Sequence, residues 1–163
     1  MTFILFISIV ILLRISELIY SGSNEKWLVQ HGAIEYGQKH YPFIVTLHIL
    51  FFISLIVEYS MKQTVSFSLF LLIAYAFILI VKIGVILTLG KFWNVKIYHI
   101  PNVPLIKNGI YSIFKHPNYM IVVIEIAVIP LIFHLYFTAL LFSILNAIML
   151  FVRIREENKV ISI

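Results

Sequence analysis

Residues 67–89 of the chain read FSLFLLIAYAFILIVKIGVILTL, a run of 23 positions with one charged side chain, Lys82. A helix needs about 20 mostly apolar residues to cross a bilayer, because lipid cannot satisfy free backbone polar groups. Residues 1–20 and 43–59 have the same character. The sequence therefore predicts three spanning helices within residues 1–89. The first run lacks a preceding basic region and a small-residue cleavage site, so we expect it to be retained.

A fourth apolar region covers residues 119–152, which is too long for one span and carries Pro130 and His134 near its middle. We interpret it as two helices joined by a tight turn. With 62% apolar and 12% charged residues and a mean hydropathy of +1.06, the composition lies far outside that of soluble proteins. We predict an all-α polytopic membrane helix bundle of about five transmembrane helices, with the last two forming a tight helical hairpin, in a single domain over residues 1–163.

The composition also excludes several kinds of chemistry. The chain has neither cysteine nor aspartate, which rules out disulfides, thiolate nucleophiles, cysteine-ligated metals and Ser-His-Asp triads. We predict no metal site. The net charge of +5 would suggest nucleic-acid binding in a soluble domain, but here the few basic residues lie between apolar runs. We therefore interpret them as topology signals and expect no nucleic-acid partner.

Five spans would place nine basic residues on one side of the membrane and Lys62 alone on the other. By the positive-inside rule the side with nine is cytoplasmic. The sequence thus predicts a multi-pass protein of the cell membrane with its N-terminus outside and its C-terminus and active site in the cytoplasm. A re-entrant final pair of helices would give the same count and stays open. The nine residues are Lys26, Lys39, Lys91, Lys96, Lys107, Lys115, Arg153, Arg155 and Lys159.

Four ionisable residues lie in the cytoplasmic half of the first three predicted spans: Arg14, Glu17, His48 and Lys82. Taken singly, Arg14 and Glu17 fit a structural ion pair, and Lys82 fits a side chain that snorkels to the headgroups. Their common depth favours a polar pocket instead. Both interpretations remain open. No role is assigned to three other residues of these regions: Glu58, Glu125 and His134.

The last helix carries a polar stripe. At 100° per residue, Asn146, Arg153 and Glu157 fall within an arc of about 40°, whereas Arg155 points the opposite way. The stripe would run from the membrane into the cytoplasm and could bind ligands there. An ordinary amphipathic helix end with a basic flank would give the same pattern.

The segment between the third span and the final pair contains a motif, LIKNGIYSIFKHPNY, at residues 105–119. It resembles the pattern L-V-x-x-G-x-Y-x-x-x-R-H-P-x-Y of the isoprenylcysteine carboxyl methyltransferase family, in which a helical pair and R-I-x-x-E-E follow. Here the corresponding end reads RIREEN at residues 153–158. The resemblance to the wider family covers roughly residues 85–160.

Scattered residues further upstream, among them Glu25, Gly32, Glu35 and His40, resemble the bacterial branch of this family, which methylates alkylpyrones and is found with type III polyketide synthases. This resemblance implies a lipophilic acid or enol as substrate, contact with membrane lipid, and a polyketide synthase as a pathway partner. The oligomeric state stays open, since the spans contain no G-x-x-x-G face.

The family resemblance implies an O-methyltransferase that uses S-adenosylmethionine, releases S-adenosylhomocysteine and needs no metal. The chain contains no G-x-G-x-x-G turn, so the cofactor site must be of another kind. His116-Pro117 predicts the start of a helix there, whose free N–H groups could bind the cofactor carboxylate. The residues expected to bind the cofactor are Leu105, Gly109, Tyr111, His116, Pro117, Tyr119 and Glu157.

Arg153, Asn146 and Trp93 are the expected substrate-binding residues, with Arg153 holding the acidic group. Arg153 and His116 are the catalytic candidates. A carboxylate or enolate is nucleophilic enough to need no strong base, so His116 as a general base is a hypothesis only.

The chain departs from the family pattern at three places. Lys115 stands where the family has Arg and so loses the bidentate fork. Ile121 replaces a frequent Gly. Counted from Arg153, Glu157 meets the first Glu of the pattern and Asn158 replaces the second.

Three other functions compete with O-methylation. Phospholipid or amine N-methylation would favour an anionic cavity, whereas Arg153 favours an acid. A sterol-type reductase shares the final helical pair, but the chain is short for one. A small non-enzymatic lipid-binding subunit would show no saturable affinity for S-adenosylhomocysteine.

Overall fold

The computed structural model describes residues 1–62, 66–104, 106 and 108–161, with side chains described through Asn158. Five α-helices make up most of this part of the chain. In order they are α1 (Thr2–Gln30), α2 (Tyr41–Ser60), α3 (Leu69–Leu89), α4 (Pro117–Ile132) and α5 (Tyr136–Ile161). The predicted all-α membrane bundle is confirmed.

Four helices, α1, α2, α3 and α5, are long and apolar enough to cross a membrane. The fourth in sequence, α4, has 16 residues, a length of about 24 Å at 1.5 Å per residue. It contains Pro130 and ends at Ile132, and α5 begins at Tyr136. The last two helices thus form the predicted tight hairpin, with α4 packed between α3 and α5.

Helix α1 is longer than the sequence predicts, because it continues from Tyr20 to Gln30 through a segment expected to be a loop. Ser21, Asn24 and Leu28 are buried along this extension. They face the segment that follows α3, so tertiary packing keeps the polar continuation helical. The stretch between α1 and α2 also contributes a short strand that the sequence does not predict. This strand, β1 (Ile34–Tyr36), pairs antiparallel with β2 (Ile97–His99).

The apolar core lies at the end of the bundle predicted to be extracellular. Phe3 of α1 stacks on Tyr59 of α2 with ring centroids 3.6 Å apart, and it meets Phe133 edge-on at 5.0 Å. Leu55 and Ile132 are fully buried beside them. Because apolar packing closes this end, the cavities of the bundle open at the other one.

The α4–α5 turn is clamped by the end of α2. The Glu58 carboxylate accepts hydrogen bonds from the backbone N–H groups of Phe137 and Thr138, at 3.1 and 2.8 Å. The Lys62 ammonium donates to the carbonyl oxygens of Phe133 and His134, at 3.3 and 2.5 Å. Glu58 therefore satisfies free N–H groups at the start of α5.

Four charged side chains form a closed network between α1, α3 and α4. Arg14 donates to Glu17 at 3.0 Å and to Glu125 at 2.7 Å. Lys82 pairs with Glu17 and lies 3.2 Å from both carboxylate oxygens of Glu125. The predicted Arg14–Glu17 pair is present, whereas snorkelling of Lys82 is wrong, since its residue is 4% exposed. Lys82 pairs with Glu17 and Glu125 inside the bundle instead of reaching the lipid headgroups.

Candidate functional site

The larger of the two cavities that form the candidate site has a volume of about 610 Å³ and lies between the α3–α4 segment and the C-terminal half of α5. Volumes of about 300 to 1,000 Å³ are typical of small-molecule sites. Its wall includes five of the predicted cofactor-binding residues, Tyr111, His116, Pro117, Tyr119 and Glu157. Trp93, Tyr98 and Arg153 also line it.

The N-terminus of α4 forms one wall of this cavity. His116 is the N-cap and Pro117 occupies the first turn, as the sequence predicts, because proline needs no N–H partner there and has a helical φ. Pro117 has no N–H, and the Tyr119 N–H donates to the His116 carbonyl oxygen at 3.2 Å, so it is the positive end of the helix dipole that gives this wall a partial positive charge. An anionic ligand group is favoured at this point.

A chain of hydrogen bonds joins α4 to α5 across the cavity. The Nε atom of Arg153 donates to the phenol oxygen of Tyr119 at 2.8 Å, and the phenol donates to Oε2 of Glu157 at 2.5 Å. Nδ1 of His116 lies 3.4 Å from the same carboxylate oxygen. The direction of the chain is fixed, because a guanidinium can only donate and a carboxylate can only accept.

The Arg153 guanidinium has more N–H donors than its hydrogen bonds to described residues use. It is 8% exposed, and it uses Nε for Tyr119 and one N–H of Nη2 for the carbonyl oxygen of Val95, at 2.5 Å. A guanidinium has five N–H donors. These two bonds fix its plane and, among the described residues, leave three for a ligand, enough to bind a carboxylate with two parallel hydrogen bonds.

The smaller cavity has a volume of about 320 Å³ and lies among α1, α2, α4 and α5. Most of its wall is apolar, and its polar members include Asn146, Arg14, Glu17 and His48. Ile15 and Leu18 of α1 and Val45 and Ile49 of α2 line it and are also exposed on the apolar outer surface of the bundle. The cavity therefore has a side that faces lipid between α1 and α2.

The two cavities meet at four side chains that line both: Trp93, Asn118, Tyr119 and Arg153. Arg153 is therefore accessible from the polar cavity and from the apolar one. A ligand in each would bring two reactive groups together at this junction. Holding two reactants in one geometry lowers a reaction barrier by converting a bimolecular encounter into an intramolecular one.

The predicted site residues divide into those that line the larger cavity, those that line the smaller one, and those not found in either wall. Tyr111, Pro117 and Glu157 line the larger cavity, together with the residues at the junction. The stripe is also present: Asn146 is buried in the smaller cavity, and Arg155 is exposed on the other side of α5. Gly109 is not among the described residues of either wall, and Leu105 lies outside the described residues.

Gly109 instead shapes the turn before α4. Its φ is +57°, and a Cβ there would lie 3.4 Å from the Thr88 hydroxyl of α3. A glycine suits this position because other residues rarely adopt such a φ.

Two residues that depart from the family pattern contact each other. The Lys115 ammonium donates a hydrogen bond to the Asn158 side-chain oxygen at 2.7 Å.

Sequence reasoning missed the residues that hold the 90–95 segment in place. The Ser21 hydroxyl accepts from the Val95 N–H at 3.1 Å, and the Asn24 amide donates to the carbonyl oxygens of Gly90 and Trp93, at 3.1 and 2.7 Å. These bonds place the Val95 carbonyl oxygen where the Arg153 guanidinium donates to it. The only sequence signal is two small polar residues three positions apart just beyond the first apolar run.

The pKa values of His116 and Tyr111, two of the titratable groups in this wall, are shifted by their surroundings. Burial lowers the pKa of His116, against the attraction of Glu157 and with a smaller contribution from Lys115. Burial, with the charge of Glu157, raises the pKa of Tyr111 to about 12. At neutral pH the imidazole is therefore uncharged and the phenol is protonated.

The chain is similar to two curated proteins over almost its whole length. It is 45% identical to "Uncharacterized protein YpbQ" of Bacillus subtilis (strain 168) over 96% of this chain and 95% of that protein. It is 30% identical to an "Uncharacterized protein" of Haemophilus influenzae over 94% of this chain and 91% of that protein. No solved structure gives a significant match. The profile of the isoprenylcysteine carboxyl methyltransferase (ICMT) family matches residues 68–163, and the chain belongs to this family.

Proposed function

We propose that this membrane protein of a methyltransferase family transfers a methyl group from S-adenosylmethionine to an oxygen atom of a lipophilic acid or enol. The observation that carries the proposal is that the larger, more polar cavity and the smaller, more apolar one meet at Arg153 and Tyr119. A zwitterionic methyl donor suits the first cavity and a lipophilic acceptor suits the second. S-adenosylmethionine would supply an activated methyl group on a sulfonium.

The residues of the larger cavity fit this cofactor. The positive dipole end of α4 would attract its carboxylate, and Glu157 offers a carboxylate to its ammonium. Nε2 of His116 is buried and has no hydrogen-bond partner among the described residues. Because the nearby Glu157 carboxylate favours a proton on Nδ1, Nε2 is left to accept a hydrogen bond from a ligand.

The acceptor would enter the smaller cavity from lipid between α1 and α2. Its acidic group would then reach the three free N–H donors of Arg153. The buried guanidinium cannot give up its charge, so it favours an anionic oxygen over an ammonium. This argument favours O-methylation over N-methylation. An alkylpyrone acceptor and a polyketide synthase partner follow from the resemblance to the bacterial branch and belong to this proposal.

Calorimetric titration of S-adenosylhomocysteine into detergent-purified protein tests the cofactor. We expect saturable binding that Glu157→Ala abolishes and that Glu156→Gln keeps, since Glu156 is not among the described residues lining the larger cavity. Absence of binding to folded wild-type protein would contradict the proposal and leave a non-enzymatic lipid-binding role. A screen with methyl-labelled cofactor, starting with alkylpyrones and fatty carboxylates and including lipid amines, then identifies the acceptor.

The proposed orientation, with the C-terminus and both cavities toward the cytoplasm, has a direct test. Because the chain has no cysteine, single cysteines introduced at Ser23 and Met61 can be labelled in intact cells with a membrane-impermeant maleimide. We expect labelling at Met61 before lysis and at Ser23 only after it. The reverse pattern would contradict the proposed orientation.

A further inference from the structure

The indole N–H of Trp93 is a buried donor that lacks a partner. Trp93 is 2% exposed, and its Nε1 atom has no hydrogen-bond acceptor among the described residues. Buried polar groups in folded proteins are almost always paired, so an orphan requires an explanation. Trp93 lines both cavities. A ligand at their junction can supply the missing acceptor.

The position of this indole is fixed by the fold. The carbonyl oxygen of Trp93 accepts from the Asn24 amide at 2.7 Å, and its backbone N–H donates to the Gly90 carbonyl at 3.1 Å. The Tyr20 ring packs 5.8 Å from the indole. Since backbone and ring are both held, the N–H group is pre-organised rather than free to turn toward a new partner.

The neighbouring group at the junction is also a donor. Arg153 has three N–H groups left after its bonds to Tyr119 and Val95, and neither a guanidinium nor an indole nitrogen can accept a hydrogen bond. A ligand group that satisfies both must present acceptor atoms. A carboxylate or an enolate does so, whereas a protonated amine presents only donors.

We propose that the Trp93 indole N–H and the Arg153 guanidinium together bind the oxygen atoms of an anionic methyl acceptor, and that this pair of donors disfavours protonated amines. The inference rests on the proposed function and deepens it by naming the group that selects the acceptor. In the reaction the acceptor oxygen bonds to the methyl carbon as the carbon–sulfur bond breaks, and that bond's electron pair stays on sulfur. The acceptor loses its negative charge and no proton moves.

The chain offers an internal control for a spectroscopic test, because it has two tryptophans. Trp27 stacks on His31 at 3.9 Å and is not among the described residues that line either large cavity. Protein labelled with nitrogen-15 at the indole positions therefore gives two indole signals. Trp27→Phe and Trp93→Phe variants assign them, and either variant alone is sufficient.

Decanoate and decylamine, matched in chain length and opposite in charge, are the probes. We expect decanoate to move the Trp93 indole proton downfield in a saturable way and to leave Trp27 unchanged. Decylamine should not produce this shift. By calorimetry, Trp93→Phe should weaken decanoate binding about tenfold, as expected for one hydrogen bond to a charged group.

Three results would overturn the inference: no Trp93 shift with decanoate, an equal shift with decylamine, or a shift caused by S-adenosylhomocysteine to which decanoate adds nothing. The last would assign the indole N–H to the cofactor. Each titration is run with and without S-adenosylhomocysteine. Failure of that compound to bind contradicts the proposed function, whereas the decanoate result without it still decides the role of Trp93.

Discussion

Arg153 and Glu157 lie one turn apart on α5, and the phenol of Tyr119 connects them by accepting from the guanidinium at 2.8 Å and donating to the carboxylate at 2.5 Å. Tyr119 thereby holds the Arg153 guanidinium at the junction of the two cavities and the Glu157 carboxylate within the larger one. Opposite charges so close together would otherwise pair directly. The phenol keeps them apart and leaves each with capacity for a ligand.

Replacement of Arg153 by alanine should weaken acceptor binding more strongly than cofactor binding. We expect kcat/KM to fall at least about 100-fold, or about 2.7 kcal/mol, because truncating a desolvated charged partner typically costs about 2 to 5 kcal/mol. Arg153→Lys should not restore activity, since an ammonium lacks the planar fork.

The matched control for this variant is Arg155→Ala, two positions away on the exposed face of the same helix. Its effect should stay within about 0.5 kcal/mol. Equal losses in the two variants, measured with the acceptor that the screen identifies, would argue against a specific role for Arg153.

Tyr119→Phe removes the connecting hydroxyl and keeps the ring, which stacks on His116 at a centroid distance of 5.3 Å. We expect an unfolding free energy lower by about 2 kcal/mol, because two hydrogen bonds to charged groups are lost. The dissociation constant for S-adenosylhomocysteine should rise about tenfold as Glu157 loses its orienting partner. Thermal unfolding in detergent and calorimetry measure the two effects.

Tyr136→Phe serves as the comparison. That hydroxyl lies 3.3 Å from Nδ1 of His134 at the opposite end of the bundle, so its loss should leave cofactor affinity unchanged. A matching loss of affinity in Tyr136→Phe would show that the effect of Tyr119 is not local.

The sequence predicts the parts of this site that depend on local periodicity. Proline at position 117 predicts the start of α4, and the spacing of Asn146, Arg153 and Glu157 predicts a shared face on α5. Both are correct in the structure. These patterns depend only on the geometry of a single helix, so residues close together in the sequence are enough to predict them.

The contacts that complete the site join distant parts of the chain and have no such signal. The Ser21 hydroxyl meets the Val95 N–H across 74 positions, and Arg14 meets Glu125 across 111. No periodicity links these residues. The common depth of Arg14, Glu17 and Lys82 does indicate a buried polar cluster, but it gives no indication that Glu125 completes it.

Neutralising Glu125 should be among the most damaging single changes in the bundle. Glu125→Gln leaves Arg14 and Lys82 with Glu17 as the remaining carboxylate of the network. Breaking a buried ion pair from one side typically costs about 3 to 5 kcal/mol. The midpoint of thermal unfolding in detergent should fall accordingly.

Two further variants make this prediction specific to burial. Lys82→Met combined with Glu125→Met removes one charge of each sign and should recover much of the loss. Glu35→Gln loses a partner, Lys96, at 3.7 Å in a half-buried pair outside the apolar core, and should cost at most about 1 kcal/mol. If the double variant is less stable than Glu125→Gln, the network is not held together by charge balance.

The lowered pKa of His116 predicts how stability depends on pH. Burial is the main cause, the Glu157 carboxylate opposes it and Lys115 adds to it. Since the unfolded chain takes up the proton first, near pH 6.5, unfolding becomes easier as the pH falls from there through the folded-state pKa. His116→Gln should remove this part of the pH dependence. His31→Gln, whose imidazole contacts Trp27 outside both cavities, should leave it in place.

The same variant separates two roles for His116 in turnover. If the imidazole acts as a general base, turnover of the wild-type protein falls as the pH drops through the lowered folded-state pKa of His116, and His116→Gln loses that dependence. If Nε2 only accepts a hydrogen bond from the cofactor, the variant keeps the pH profile and binds S-adenosylhomocysteine more weakly. We expect the second result, because an anionic acceptor oxygen has no proton to give up and Arg153 already holds it in its charged form.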